Sequence, residues 1–142
     1  MLQRLHSYLS ISASLLLVVT ATITSSCTAN LEIARIVNLP PLPDDTIIPT
    51  AVAEGTLIAR RGCVLLRQNS TDHTLVFADT IRLTPDRRSV IDRPTRKTTR
   101  FGRRAKITTG ESDQAALRAI AERAQLSACP SRYIAVYNIE EK

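Results

Sequence analysis

Three cysteines, a lone histidine beyond the amino-terminal segment and one run of cations are the residues whose types could do chemistry here. A thiol can be a nucleophile, a metal ligand, an acylation site or half of a disulfide. Cys27 follows a stretch of small residues, Cys63 opens an aliphatic run, and Cys129 stands before Pro130. His73 lies beside Asp72 and reads as a surface residue of a turn. A Ser-His-Asp set would have to use it, and no Gly-x-Ser-x-Gly elbow is present. Neither Asp44-Asp45 nor Glu111-Ser112-Asp113 has the spacing of a calcium loop. No catalytic residue, metal ligand or cofactor is therefore expected. A small carboxylate-dependent hydrolase is the enzyme reading left over, since two carboxylates suffice and spacing cannot reveal them.

The cations are concentrated. Between residues 82 and 106 stand Arg82, Arg87, Arg88, Arg93, Arg96, Lys97, Arg100, Arg103, Arg104 and Lys106, opposed by Asp86 and Asp92. The formal net charge of the whole chain is +6, so this segment, with a local excess of eight, outweighs an otherwise acidic remainder. Such a field attracts polyanions, and arginine suits planar, two-pronged contact with phosphate or carboxylate. The competing reading is a solvated hairpin whose charge serves solubility. Residues 92–100 carry no apolar side chain except Pro94 and are expected to be exposed or disordered.

Behind these residues must stand elements that position them. The chain has 142 residues, 44% hydrophobic and 4% aromatic with no Trp, which is room for a single domain. Residues 1–26 have a positive start at Arg4, an apolar block over 11–19 and then Ala21, Thr22, Thr24, Ser25 and Ser26, the order of an export signal. A retained membrane helix is the alternative. The apolar stretch 9–23 is interrupted by hydroxyls and is short of the roughly 20 residues a span needs. After Cys27, residues 28–50 hold Pro40, Pro41, Pro43 and Pro49 and read as an extended tether. Within it Leu31, Ile33, Ile36 and Val37 could form a short helix or an edge strand.

The folded domain is expected over 51–142. Runs at 51–60, 63–67 and 74–78 are short and aliphatic, as strands are, with a turn over 68–72. Shorter strand candidates lie at 80–83, 89–92 and 105–108, and a last one at 132–139 ahead of a solvated tail. One helix is expected at about 113–126: Ser112 can cap it, and Leu117, Ile120, Ala121 and Ala124 make one apolar stripe. The fold class is thus α+β: a small β-rich domain, an OB-like barrel or curved antiparallel sheet, with one helix in its C-terminal half.

Two resemblances sharpen this. Ile23-Thr24-Ser25-Ser26-Cys27 resembles the lipobox of bacterial lipoproteins, whose cysteine receives a diacylglyceryl group before cleavage. The resemblance implies lipidation of Cys27 and a membrane as partner through the anchor. Thr24 stands where that family has an aliphatic residue, which leaves plain cleavage near Ser26 or Ala29, and a secreted module without lipid, as the alternative. If Cys27 carries lipid, Cys63 and Cys129 remain as a pair able to form a disulfide in an oxidising compartment, whereas a cytosolic chain would keep both as core thiols. Gly55-Thr56-Leu57, then Gly62-Cys63-Val64-Leu65-Leu66 and a late Cys129-Pro130, resemble small exported bacterial domains of OB-like barrel type. That resemblance implies architecture and no activity. The expectation is a non-catalytic envelope lipoprotein facing the periplasm whose basic segment takes an anionic lipid or polysaccharide. Nucleic acid is disfavoured by export.

Overall fold

The computed structural model describes residues 33–43, 48, 50–126 and 128–142. The signal over 1–26, Cys27 and the acidic pair Asp44-Asp45 lie outside the described residues. Strands β1 (Thr50–Arg60), β2 (Cys63–Gln68) and β3 (Thr71–Phe77) form two successive hairpins. Three short strands follow, β4 (Ile81–Leu83), β5 (Ser89–Asp92) and β6 (Lys97–Arg100), then β7 (Arg104–Gly110), helix α1 (Gln114–Arg123) and β8 (Tyr133–Glu141).

Five of these strands close on themselves in the order β1-β2-β3-β8-β7, with β7 returning to β1. The pairs are antiparallel except β3 with β8, which run parallel. A barrel with one parallel pair, rather than a purely antiparallel sheet, is therefore the form the β-rich domain takes. Closure depends on the length of β1. Residues 50–56 pair with β7 and residues 56–60 with β2, so the strand must bend across the changeover. Gly55 sits there, and a Cβ on it would lie 2.5 Å from the Arg67 carbonyl oxygen and 2.9 Å from Leu66 Cγ. Only a residue without a side chain allows that approach.

The core has two parts. Leu57, Leu66, Leu75, Phe77, Ile107 and Ile139 fill the barrel interior. Outside the wall, Leu65, Val76, Tyr133 and Ala135 pack against Leu117 and Ala121 of α1. The unbroken apolar run at 63–66 follows from this: β2 has the barrel contents on one face and the helix on the other, so alternation is not required. A disulfide joins Cys63 at the start of β2 to Cys129 beyond the helix, with Cα atoms 5.8 Å apart and 66 positions between them in sequence.

Several expectations need correction. The folded unit begins before residue 51. Ala34 and Val37 are buried, Phe77 N–H donates to the Val37 carbonyl and Leu39 N–H to that of Phe77, and Arg35 N–H donates to the Gly62 carbonyl. Residues 33–39 are thus a lead-in strapped to the barrel. Seven of the nine residues over 92–100 are exposed, one of the two outcomes expected, and the stretch ends in a strand, β6, over 97–100. Asp92 of β5 and Thr99 of β6 are buried while Lys97, Thr98 and Arg100 are exposed, so no apolar side chain marks β6. Helix α1 is shorter than expected. Asp113, not Ser112, caps it, accepting from Ala115 N–H at 2.9 Å, and Gln125 at φ +59° turns the chain away after Ala124. The acidic tail at 140–141 is part of β8 and not merely solvated.

Candidate functional site

The β4–β5 turn is the most tightly determined part of the basic segment. Pro85 fixes the first turn position, Arg87 N–H donates to the Thr84 carbonyl at 2.8 Å, and Thr84 N–H donates to Ser89 at 3.0 Å. The Asp86 carboxylate accepts from the Thr84 hydroxyl at 2.6 Å and from Arg88 N–H at 3.1 Å. The Thr84 hydrogen bond first, then the Arg88 amide and the Arg88 charge, hold this carboxyl below its ordinary range. Arg87 adopts φ +54°, a left-handed conformation that costs a residue with a side chain about 1 kcal/mol. A locked turn therefore presents Arg87 and Arg88 outward.

Two clefts meet at this turn. The larger, about 870 Å³, lies between the lead-in (Ile33, Ala34), the end of β1 (Ala59), the turn residues 86–89 and Arg100-Phe101. The smaller, about 560 Å³, lies across the lead-in and is lined by Arg35, Leu83, Pro85 and Arg87. Ala34 and Arg87 border both. Phe101 N–H donates to the Arg88 carbonyl and Gly102 N–H to that of Leu57, which ties the end of β6 to β1 and sets Arg100 across from the turn. The arginines here are exposed, and among the described residues none forms a side-chain ion pair. Asp86 is the carboxylate on the rim. Guanidinium groups beside a half-buried phenyl ring can take a phosphate or carboxylate through paired N–H donors.

The other members of the basic segment are placed differently. Lys97 and Lys106 both reach Glu140, at 2.5 and 3.6 Å, Arg103 reaches Glu141 at 3.9 Å and Arg104 reaches Glu54 at 3.8 Å. These four fasten the three-stranded insert and β7 to the rest of the barrel. Arg82, Arg93 and Arg96 are exposed, the last two at the β5–β6 turn. Arg35 and Arg61 were not legible as members of the group. The Arg35–Gly62 backbone bond brings the lead-in beside the β1–β2 turn where Arg61 stands at φ +52°, and no local pattern announces that meeting.

Glu140 gives a pH prediction. The Lys97 hydrogen bond and charge, then Lys106, hold its carboxyl below the ordinary 4.5. A lowered folded value means that the attraction is complete above about pH 4.5 and is lost as pH falls through the folded value. Protection of the amides over 97–100, measured against the intrinsic exchange rate at each pH, should fall below about pH 4.5 more than in β2, and Glu140→Gln should abolish that difference. Equal loss of protection in both strands would show that the ties do not hold the insert.

His73 is not in a turn. Asn69 and Ser70 both have positive φ and make a two-residue hairpin turn, so β3 begins at Thr71 and His73 pairs across from Leu66. The neighbouring Asp72 is gripped by Arg67 through bonds of 2.7 and 3.0 Å, which keeps its carboxyl low. Among the described residues no three His, Cys, Asp or Glu side chains gather to hold a metal, and no helix is long and apolar enough to cross a membrane. The thiols of Cys63 and Cys129 are joined, a bond that fits an oxidising compartment. Comparison with protein-family models, curated proteins and solved structures finds nothing that matches this chain, so the site stands on its own geometry.

Proposed function

We propose that this chain is a non-catalytic lipoprotein of the cell envelope, anchored through Cys27, whose barrel binds an anionic envelope component at the arginine-rimmed cleft. The observation that carries the reading is the cluster Arg87, Arg88 and Arg100 around one opening, without ion-pair partners among the described residues, while the cations on β7 and Lys97 are tied to glutamates. Arg82, Arg93 and Arg96 are exposed elsewhere on the segment, so the cleft is one local grouping of three guanidinium groups and not the whole of the free charge. The disulfide supports an exported domain, and the signal-like residues 1–26 support the route.

Growth with radioactive palmitate should label the chain, and Cys27→Ala should remove the label. Absence of label from the unaltered chain would favour a secreted, non-lipidated module, the reading that Thr24 supports. For the cleft, inorganic polyphosphate is a suitable probe. Binding should weaken steeply with added salt, and Arg87→Ala/Arg88→Ala should lower affinity about tenfold or more at constant salt. Unchanged binding in that variant would remove the cleft from the proposal.

A further inference from the structure

Three of the unpaired arginines of the basic segment lie where the lead-in meets the barrel. Ile33 and Ala34 line the larger cleft together with Arg87, Arg88 and Arg100, and Ala34 and Arg35 line the smaller one with Arg87. Arg61 flanks them across the Arg35–Gly62 backbone bond. Five arginines against Asp86 therefore surround the point of entry, and Ile33 stands among them 56% exposed.

Chain length turns this coincidence into an orientation. Cys27 is six residues before Ile33, a reach of roughly 20 Å when fully extended. A domain of this size has a radius of gyration of about 13 Å and is roughly 34 Å across. An anchor at Cys27 is then shorter than the domain it holds, so the side opposite Ile33 stays off the bilayer and the contact falls on the half around Ile33, where the arginine-rimmed cleft lies. The geometry points to a membrane-docking face. Resting on the reading that Cys27 is lipidated, the cleft formed by Arg87, Arg88 and Arg100, with Arg35, Arg61 and the exposed Ile33, seats on the anionic phospholipid headgroups of the leaflet that holds the anchor. Acyl chains and a basic patch act together in such anchoring, each cation near the surface contributing about fivefold in affinity.

Two experiments test it. The mature chain with Cys27→Ser should sediment with phosphatidylcholine vesicles containing about 30% phosphatidylglycerol and not with phosphatidylcholine alone. Arg87→Ala/Arg88→Ala/Arg100→Ala should weaken that binding about 100-fold, while Arg93→Ala/Arg96→Ala, at the other end of β5, should change it less than about threefold. Equal loss in the two variants, equal binding to neutral vesicles, or complete release by free glycerol phosphate would overturn the docking face. The last would indicate a pocket for a soluble anion. In the second experiment, the lipidated full chain is reconstituted in the same vesicles with a headgroup photo-crosslinker. Label should fall on residues 33–36, 84–89 and 100–101, and label confined to α1 or the β5–β6 turn would overturn the orientation. Palmitate incorporation is scored separately. Its absence defeats the lipoprotein reading and the orientation with it, whereas an anchored chain crosslinked elsewhere defeats only the docking face.

Discussion

Replacing both Cys63 and Cys129 by alanine, or reducing the bond, lowers the free energy of unfolding by about 4 kcal/mol. The bond closes 66 positions of sequence, and a cross-link of that span restricts the unfolded chain by about this amount in the chain-entropy account. A domain of ordinary stability has about 5–15 kcal/mol in all, so the loss is between about a quarter and four-fifths of it. The loss is concentrated in one region. Cys129 and Leu126 hold the end of α1 against Cys63 and Leu65 of β2, and no other covalent tie joins helix and barrel among the described residues. Urea titrations with and without reductant measure the difference directly. A shift below about 1 kcal/mol would mean that the unfolded chain is already compact, so that closing the loop restricts it little.

The second large effect is expected at Gly55. Gly55→Ala places a methyl 2.5 Å from the Arg67 carbonyl oxygen, a backbone atom that cannot move without disturbing the β1–β2 ladder. Overpacking of this kind costs about 3 kcal/mol, the upper part of the usual range. Gly102→Ala is the informative comparison. Its φ is +85° but nothing lies within 4 Å of the added carbon, so only backbone strain of about 1 kcal/mol applies. If the two variants unfold at the same urea concentration, steric closure at the bend of β1 is not what makes Gly55 necessary.

How much of this was legible in the sequence depends on whether a signal is local. The apolar runs of β2 and β3 and the stripe Leu117, Ile120, Ala121 and Ala124 announce their elements because each repeats with the period of its own structure. β6 escaped because Lys97-Thr98-Thr99-Arg100 turns inward only a threonine, and its charge reads as solvent exposure. The lead-in was legible as a short helix or an edge strand, and it does bridge β3 in parallel at Asn38, but its packing on the barrel escaped because Ala34 and Val37 offer little apolar surface and the following prolines read as a spacer. At the candidate site, the ten cations were visible as a run, yet their division was not. Which of them are free depends on Glu54, Glu140 and Glu141, between 34 and 50 positions away along the chain, and pairings at that distance leave no trace in spacing.

The parallel pairing of β3 with β8 has a further consequence for biogenesis. β8 is the piece that shuts the ring, lying between β3 and β7, and it is made after all the others. Until it arrives, both neighbours keep unsatisfied edges and the central cavity stays open, so a growing polypeptide cannot lock into its final shape ahead of time. A molecule built in that way stays threadable until β8 has been made, and the covalent staple at Cys129, just upstream of β8, comes within reach of its partner only after the other strands have been made.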